Sequence, residues 1–161
     1  MEVEEGRRRV IIEGVKPEID GGRFPAKRTV GESVSVEADV FADGNDAVSA
    51  ALLWRKEDAS EWMESPMTFL VNDRWQGSFR VEDMGRYLYT LRAWVDRFTS
   101  WRRNLEAKSI AGQDRHVDFL EGADLVEEAG NRADGPEAKR LLDWARMLSA
   151  REDRKKRIRL A

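Results

Sequence analysis

The sequence contains no cysteine and only one histidine, His116. The lack of cysteine excludes a thiol nucleophile, a disulfide framework and a metal site built on thiolates. It also fits a reducing compartment, so we expect a cytoplasmic protein. One histidine among scattered acids falls short of a zinc site, and no Gly-x-Ser-x-Gly turn supplies a serine nucleophile. We therefore predict no catalytic residue and no metal site in this chain.

Three further signals are missing. Neither glycine motif of nucleotide-binding loops, Gly-x-Gly-x-x-Gly or Gly-x-x-x-x-Gly-Lys-Ser/Thr, occurs, so we predict no cofactor site. No apolar run approaches the roughly 20 residues that span a bilayer, and the acidic start Met1–Glu5 is not a signal peptide. The formal net charge is −3, whereas proteins that bind nucleic acid usually carry a basic patch. We expect neither a membrane nor a nucleic acid as partner.

The first part of the sequence shows the pattern of β-strands. Apolar residues alternate with polar ones in three segments, and two shorter segments are further candidates: Ser33–Val40, Trp75–Val81, Tyr87–Val95, then Val10–Val15 and Ala50–Arg55. Alternation predicts strands with one buried face. Short strands separated by turn residues such as Asn72-Asp73 predict an antiparallel β-sandwich of immunoglobulin type over residues 1–97.

After Asp96 the apolar residues recur every three or four positions, which predicts helices. Three such stripes are present: Phe98, Trp101, Leu105; Val117, Phe119, Leu120, Ala123, Val126; and Ala138, Leu141, Leu142, Ala145, Leu148. The start of the third helix is marked by Asp134 and Pro136, and we expect Gly112 and Gly130 at helix ends. Residues 98–161 are thus predicted to form a helical hairpin or partial bundle, and the fold class is α+β. The segment Arg151–Arg159 is highly charged and shows no further stripe.

Four aromatic residues are candidates for contact with a partner or a sugar: Trp62, Trp94, Trp101 and Phe119. Trp94 points away from the apolar face of its strand, and Phe119 lies near the edge of its helical stripe. The alternative is burial, because aromatic side chains contribute much of the apolar area of a core. In that case Trp94 and Trp101 seat the helices against the sheet.

Several segments carry a family resemblance in combination. They are Val15-Lys16-Pro17-Glu18-Ile19, Gly22-Arg23, Gly31-Glu32, Asp39-Val40-Phe41-Ala42-Asp43-Gly44, Asn72-Asp73-Arg74-Trp75-x-Gly77-x-Phe79, Gly85-x-Tyr87-x-Tyr89-Thr90-Leu91-x-Ala93-Trp94-x-Asp96-Arg97-Phe98 and Trp101-Arg102. Together they resemble the N-terminal region of the α-1,4-glucan:maltose-1-phosphate maltosyltransferases, which belong to the α-amylase superfamily. The resemblance covers most of residues 9–105.

The resemblance implies a β-sandwich interrupted by a helical insertion, which together build a homodimer interface. It also implies that a catalytic (β/α)₈ barrel follows in the parent chain. A barrel needs about 250 residues, and none of its motifs occurs here, so no catalytic residue can be assigned. The expected partners are a second subunit and that barrel, with an α-glucan as a further candidate.

Two other functions stay open at this point. One is a carbohydrate-binding module that contacts glucan through exposed aromatics, and the other is an adaptor domain unrelated to sugars. The exposure of the aromatic residues distinguishes a docking piece from a glucan-binding module.

Overall fold

The computed structural model describes residues 10–150 together with Ile158. The chain divides into two compact units between Val95 and Asp96, two residues before the boundary expected from the sequence. Apart from Ile158, the charged segment Arg151–Arg159 lies outside the described residues. The predicted α+β class, a β-sandwich followed by helices, is confirmed, and the more specific immunoglobulin type stays a prediction.

The first unit contains seven strands in the described range. Their bounds are β1 Val10–Lys16, β2 Ser33–Ala42, β3 Val48–Lys56, β4 Met63–Pro66, β5 Thr68–Phe69, β6 Arg74–Arg80 and β7 Tyr87–Val95. One sheet has the order β1-β2-β6-β5 and the other β4-β3-β7. All pairings are antiparallel.

Strand alternation places the core of this unit between the two sheets. Val34, Val36, Ala38 and Val40 of β2 are at most 5% exposed. They pack with residues such as Leu52 and Phe79 and with partly buried side chains of β7. Alternate side chains of a strand point to one face, so the apolar half of each predicted strand became the inner face.

Two strands, β4 and β5, were not expected from the sequence. They are four and two residues long, too short to show alternation. β4 pairs with β3 and β5 with β6, so this stretch crosses from one sheet to the other. Met67 lies at the crossing, is buried, and donates its backbone N–H to the Ala50 carbonyl at 2.8 Å. The crossing closes one side of the sandwich.

The second unit contains three helices in the described range: α1 Arg97–Ile110, α2 His116–Arg132 and α3 Gly135–Ser149. Asp96 caps α1 by accepting a hydrogen bond from the Thr99 backbone N–H at 2.8 Å, a common way to satisfy the first turn. Gly112 follows the end of α1 with φ +68°, as expected. Gly130 was expected at a helix end, and this was wrong. It lies inside α2, where a Cβ would meet the Leu142 side chain at 3.0 Å.

The helical stripes converge on a single core. Its buried members are Trp101, Leu105, Phe119, Ala123, Val126, Ala145 and Leu148. The Phe98 ring lies 5.3 Å from the Trp101 ring and 5.7 Å from the Trp144 ring, measured between ring centres. No described helix is both long and apolar enough to cross a membrane.

Candidate functional site

The four predicted contact residues separate into two pairs. Trp62 and Trp94 are 42% and 41% exposed, whereas Trp101 and Phe119 are 3% and 1% exposed. Trp101 also donates its indole N–H to the Asp118 carbonyl at 2.6 Å. Trp101 and Phe119 therefore act as core residues of the helical unit and present no ring to a partner. Contact with a partner or sugar stays a prediction for Trp62 and Trp94.

A large concave feature lies in the sandwich unit, on the side opposite the β4–β5 crossing. It is a groove of about 930 Å³ between β1 and β7, called here the β1–β7 groove. Each of these strands is the last one in its sheet, so the groove opens between two sheet edges. Its floor is apolar and is formed by the inner face of the sandwich, including Ile12, Val34, Phe79, Tyr89 and Leu91.

One rim of the groove is the connection between β1 and β2. Phe24, Lys27 and Arg28 of this connection line the groove. A backbone bridge between Ile19 and Phe24 folds the connection back on itself, and Phe24 is 57% exposed. This connection therefore borders an apolar groove, and the cations Lys27 and Arg28 lie at the rim.

Tyr89 fixes this rim to β7. Its hydroxyl donates to the Pro17 carbonyl at 2.6 Å. Burial, with the Glu18 carboxylate nearby, raises the pKa of the Tyr89 hydroxyl above its usual value. Both effects disfavour the phenolate, so Tyr89 stays neutral and keeps this hydrogen bond near neutral pH. The residue positions the loop, and its chemistry is not that of a nucleophile.

A second surface lies on the outer side of the three-stranded sheet. Side chains of β7 that point away from the core are Leu88, Thr90, Arg92 and Trp94, since their neighbours Tyr87, Tyr89, Leu91 and Ala93 pack inward. Arg55 of β3 is paired with Leu88, so its side chain lies on this outer side too. Glu64 of β4 is paired with Leu53, two residues before Arg55 on β3, and therefore shares the same side. We call this surface the Trp62–Trp94 face.

Planar groups on this face contact each other. The Arg55 guanidinium carbon lies 5.0 Å from the Trp62 ring centre, and that of Arg92 lies 5.7 Å from the Trp94 ring centre. Arg92 Nη2 donates to both carboxylate oxygens of Glu64, at 2.7 and 2.8 Å. This pair spans β3, which lies between β4 and β7. The face is therefore an ordered row of aromatic and charged planes.

The acidic residues of the described range form no metal-binding cluster, and one of them is buried. Over residues 10–150, no three His, Asp or Glu side chains converge as metal ligands. Asp118 differs from the other described acids because it is buried. Its carboxylate accepts from Lys108 Nζ and, at 2.7 Å, from the Arg115 backbone N–H. The hydrogen bond from Lys108, aided by that from Arg115, holds the pKa of Asp118 below its usual value.

The signal for Asp118 was present in the sequence. An acid at the third position of a helix can return to the backbone N–H before the helix, as in a capping box. Asp118 stands at this position relative to Arg115. Its role is to cap α2 and to bind Lys108 from α1, which makes it a structural residue of the helical unit.

Comparisons with a family profile and with individual relatives point to the same family. The sequence profile of a family described as alpha-1,4-glucan:maltose-1-phosphate maltosyltransferase, domain N/S, matches residues 8–161. A maltosyltransferase of that name from Chlorobaculum tepidum is 47% identical over 145 residues, covering 90% of this chain and 22% of the relative. Namesakes from Myxococcus xanthus and Cereibacter sphaeroides are 48% and 43% identical, covering 77% and 84% of this chain and 19% and 20% of theirs. The chain thus spans about a fifth of the length of these relatives.

Proposed function

Since this chain belongs to the N/S-domain family of the α-1,4-glucan:maltose-1-phosphate maltosyltransferases, we propose that it is a non-catalytic assembly part of such an enzyme. The parent would extend an α-1,4-glucan from α-maltose 1-phosphate. The part described here would hold further chain of the parent and support the pairing of two subunits.

The observation that carries this proposal is the β1–β7 groove. Over residues 10–150, β7 pairs with β3 on one side and with no strand on the other, and β1 is likewise an edge. Edge strands with free backbone groups accept an added strand. Between these edges the apolar floor of the sandwich faces outward. A groove with two open edges and an apolar floor suits one more strand.

The proposed occupant of the groove is a strand from elsewhere in the parent polypeptide. The relatives are about five times as long as this chain, since the matched part is 19–22% of their length, so they have chain to supply it. Tyr87, Tyr89 and Leu91 point into the sandwich, and an added strand would have to present apolar residues at alternate positions beside them. A glucan is a poorer fit to this floor, which offers few hydrogen-bonding groups.

One substitution pair tests the groove in the full-length parent. Leu91→Lys places a charge on the groove floor, and Ser78→Lys places the same charge at an exposed position of β6 that does not line the groove. We expect Leu91→Lys to lower the yield of folded, active parent and Ser78→Lys to leave it unchanged. If Leu91→Lys destabilises the isolated chain as strongly as the parent, the effect belongs to the sandwich core alone and contradicts docking.

The helical unit supports subunit pairing through exposed apolar side chains. Val117 and Leu120 are 62% and 36% exposed and lie three residues apart on α2, and Ile110 at the end of α1 is 83% exposed. Residues at this spacing share one helix face. Sedimentation of the chain should show a dimer or larger species at micromolar concentration.

The residues that test this association differ from the one suggested by the sequence pattern. Phe119→Glu is unsuitable, because a charge at a core position would unfold the helices. Val117→Glu and Leu120→Glu should instead weaken association, while Met84→Glu, at an 87% exposed position in the sandwich unit, should not. A monomer at about 100 μM would contradict the proposal, since useful association is populated well below that concentration.

The proposal that the chain is non-catalytic can be tested by a direct assay. The purified chain should transfer no maltosyl unit from α-maltose 1-phosphate to maltooligosaccharide under conditions in which the full-length parent does. Turnover that co-purifies with the chain and responds to substitution of its own acids would overturn the non-catalytic assignment.

A further inference from the structure

The Trp62–Trp94 face has a feature that docking through the groove does not use. Its two tryptophans are each about two-fifths exposed, although each has an arginine guanidinium against its ring. Each ring is thus oriented by a cation–π contact, and each residue keeps about two-fifths of its surface accessible to a ligand.

The two arginines of this face are held by different partners. The Arg92 guanidinium is paired with the Glu64 carboxylate through Nη2, so its Nη1 and Nε hydrogens are not engaged with Glu64. The Arg55 guanidinium donates to the backbone carbonyls of Glu57 and Ala59. The Arg92 charge is thus paired with Glu64, and part of the Arg55 guanidinium is engaged by backbone carbonyls, so the face offers hydrogen-bonding groups suited to a ligand rich in hydroxyl groups.

The two rings lie far enough apart to contact different units of one extended ligand. Trp94 pairs with Ser49, and Trp62 precedes Met63, which pairs with Trp54. Trp62 is therefore level with Arg55, six residues along β3 from Ser49, or about 20 Å at the rise of a β-strand. Between the rings lies the Arg92–Glu64 pair, which can donate to and accept from hydroxyls at once.

We propose that the Trp62–Trp94 face is a non-catalytic binding surface for an α-1,4-glucan chain. Pyranose rings have one apolar face, which would stack on the indoles, while their hydroxyls would bond to Arg92 and Glu64. Apolar planes with a few placed polar groups are the usual composition of a ligand site. The proposed function enters only in naming the sugar as an α-1,4-glucan. The groove is a separate surface, so failure of sugar binding and failure of docking are distinguishable.

The test is titration of the 161-residue chain with maltoheptaose, followed by the indole N–H signals in ¹⁵N-resolved NMR spectra. The signals of Trp62 and Trp94 should move and saturate, while that of Trp101, which is bonded to the Asp118 carbonyl, should not. Trp62→Ala with Trp94→Ala should weaken binding about tenfold or more, as expected for aromatic anchors. Phe69→Ala is the matched control, because Phe69 is 53% exposed on the other sheet, and it should leave affinity unchanged.

Three results would overturn the proposal. One is the absence of any shift of the indole N–H signals at millimolar maltoheptaose. This result needs only the wild-type protein. The second is saturable binding that moves other indole signals and survives the double substitution. The third is equal affinity for cellohexaose, because a β-linked chain of the same sugar would then fit as well and the α-1,4-glucan assignment would be lost.

Discussion

Both units have a periodic pattern of apolar residues, but they differ in how fully those apolar side chains are buried. In the helical unit, Trp101, Phe119 and Leu148 are at most 3% exposed, and the three stripes meet in one closed core. In the sandwich unit, one side is closed by the β4–β5 crossing, whereas Tyr89 and Leu91 remain only partly covered at the β1–β7 groove. The helical unit thus closes its core within the described residues, whereas the sandwich unit leaves part of its inner face accessible, and this difference is the basis of the docking proposal.

Two tryptophans near the division of the chain show the same contrast. Trp94 is the next-to-last residue of β7 and is about two-fifths exposed, whereas Trp101 lies in α1 and is buried. They are seven residues apart and were equally plausible contact residues from the sequence. Substituting exposed and buried residues tests whether the difference in burial corresponds to a difference in the free energy of unfolding.

The largest loss should come from Trp101→Ala. The ring fills the core beside Gly122 and holds a buried hydrogen bond, so its removal leaves a cavity and loses that bond. We expect a cost of about 3–5 kcal/mol, typical of large aromatic truncations. Urea denaturation followed by circular dichroism at helical wavelengths measures it. A cost near 1 kcal/mol would mean that the helical core is not closed around this ring.

Gly122→Ala tests the same contact by adding a methyl group to α2 where it faces the Trp101 ring. A Cβ at this position would lie 2.0 Å from Trp101 Cζ2, which requires the ring or the helix to move. We expect a cost of about 1–3 kcal/mol from overpacking, although alanine is the better helix former. Gly130→Ala in the same helix is the control, because there the obstacle is the flexible Leu142 side chain. Equal thermal stability of the two variants would argue against close packing at Trp101.

These two positions also show what the sequence could supply. The stripe containing Phe98, Trp101 and Leu105 correctly predicted a helix with an inward face, because spacing alone defines a face. It could not rank Phe119 as the most buried side chain of α2 or place Gly122 under an indole. Those facts depend on which helix packs opposite, and helix packing is a tertiary property.

In the sandwich unit, too, the sequence predicted some elements and could not predict others. Clean alternation predicted β2, β6 and β7 to within about two residues at either end. The strands β4 and β5 have too few residues for a period. For the candidate site, the exposed positions of Trp62 and Trp94 were among the sequence candidates. The groove was not, because it arises from which strands end up at the sheet edges.

Asp118 gives a pH-dependent prediction within the helical unit. Its pKa is lowered in the folded protein, chiefly by the hydrogen bond from Lys108. The ionised form therefore stabilises the fold above the usual pKa of about 3.8, and this contribution is lost as the pH falls below that value. Asp118→Asn should cost about 1.5 kcal/mol at pH 7, the low end for a bond to a charged group. The difference from wild type should shrink in acid, and a difference that stays constant down to pH 3 would contradict the assignment.

The smallest effect should come from Trp94→Ala. An exposed ring removes little area from water in the isolated chain, so we expect a change within about 1 kcal/mol. The matched pair Trp94→Ala and Trp101→Ala, measured in the same buffer, then gives the contrast directly. Similar losses at both positions would show that the two residues share a buried environment.

The most direct measurement of the docking account is hydrogen–deuterium exchange of β7, residues Tyr87–Val95, in this chain and in the full-length parent. Among residues 10–150, β7 has a strand neighbour on one side only, so its outward amides should exchange quickly in the isolated chain. In the parent an added strand should slow them, while β3, which lies between two strands in the chain, should exchange slowly in both. Slower exchange of β7 in the parent, with β3 unchanged, is the predicted result. Equal exchange of β7 in the two proteins would contradict the claim that the sandwich is completed by further chain.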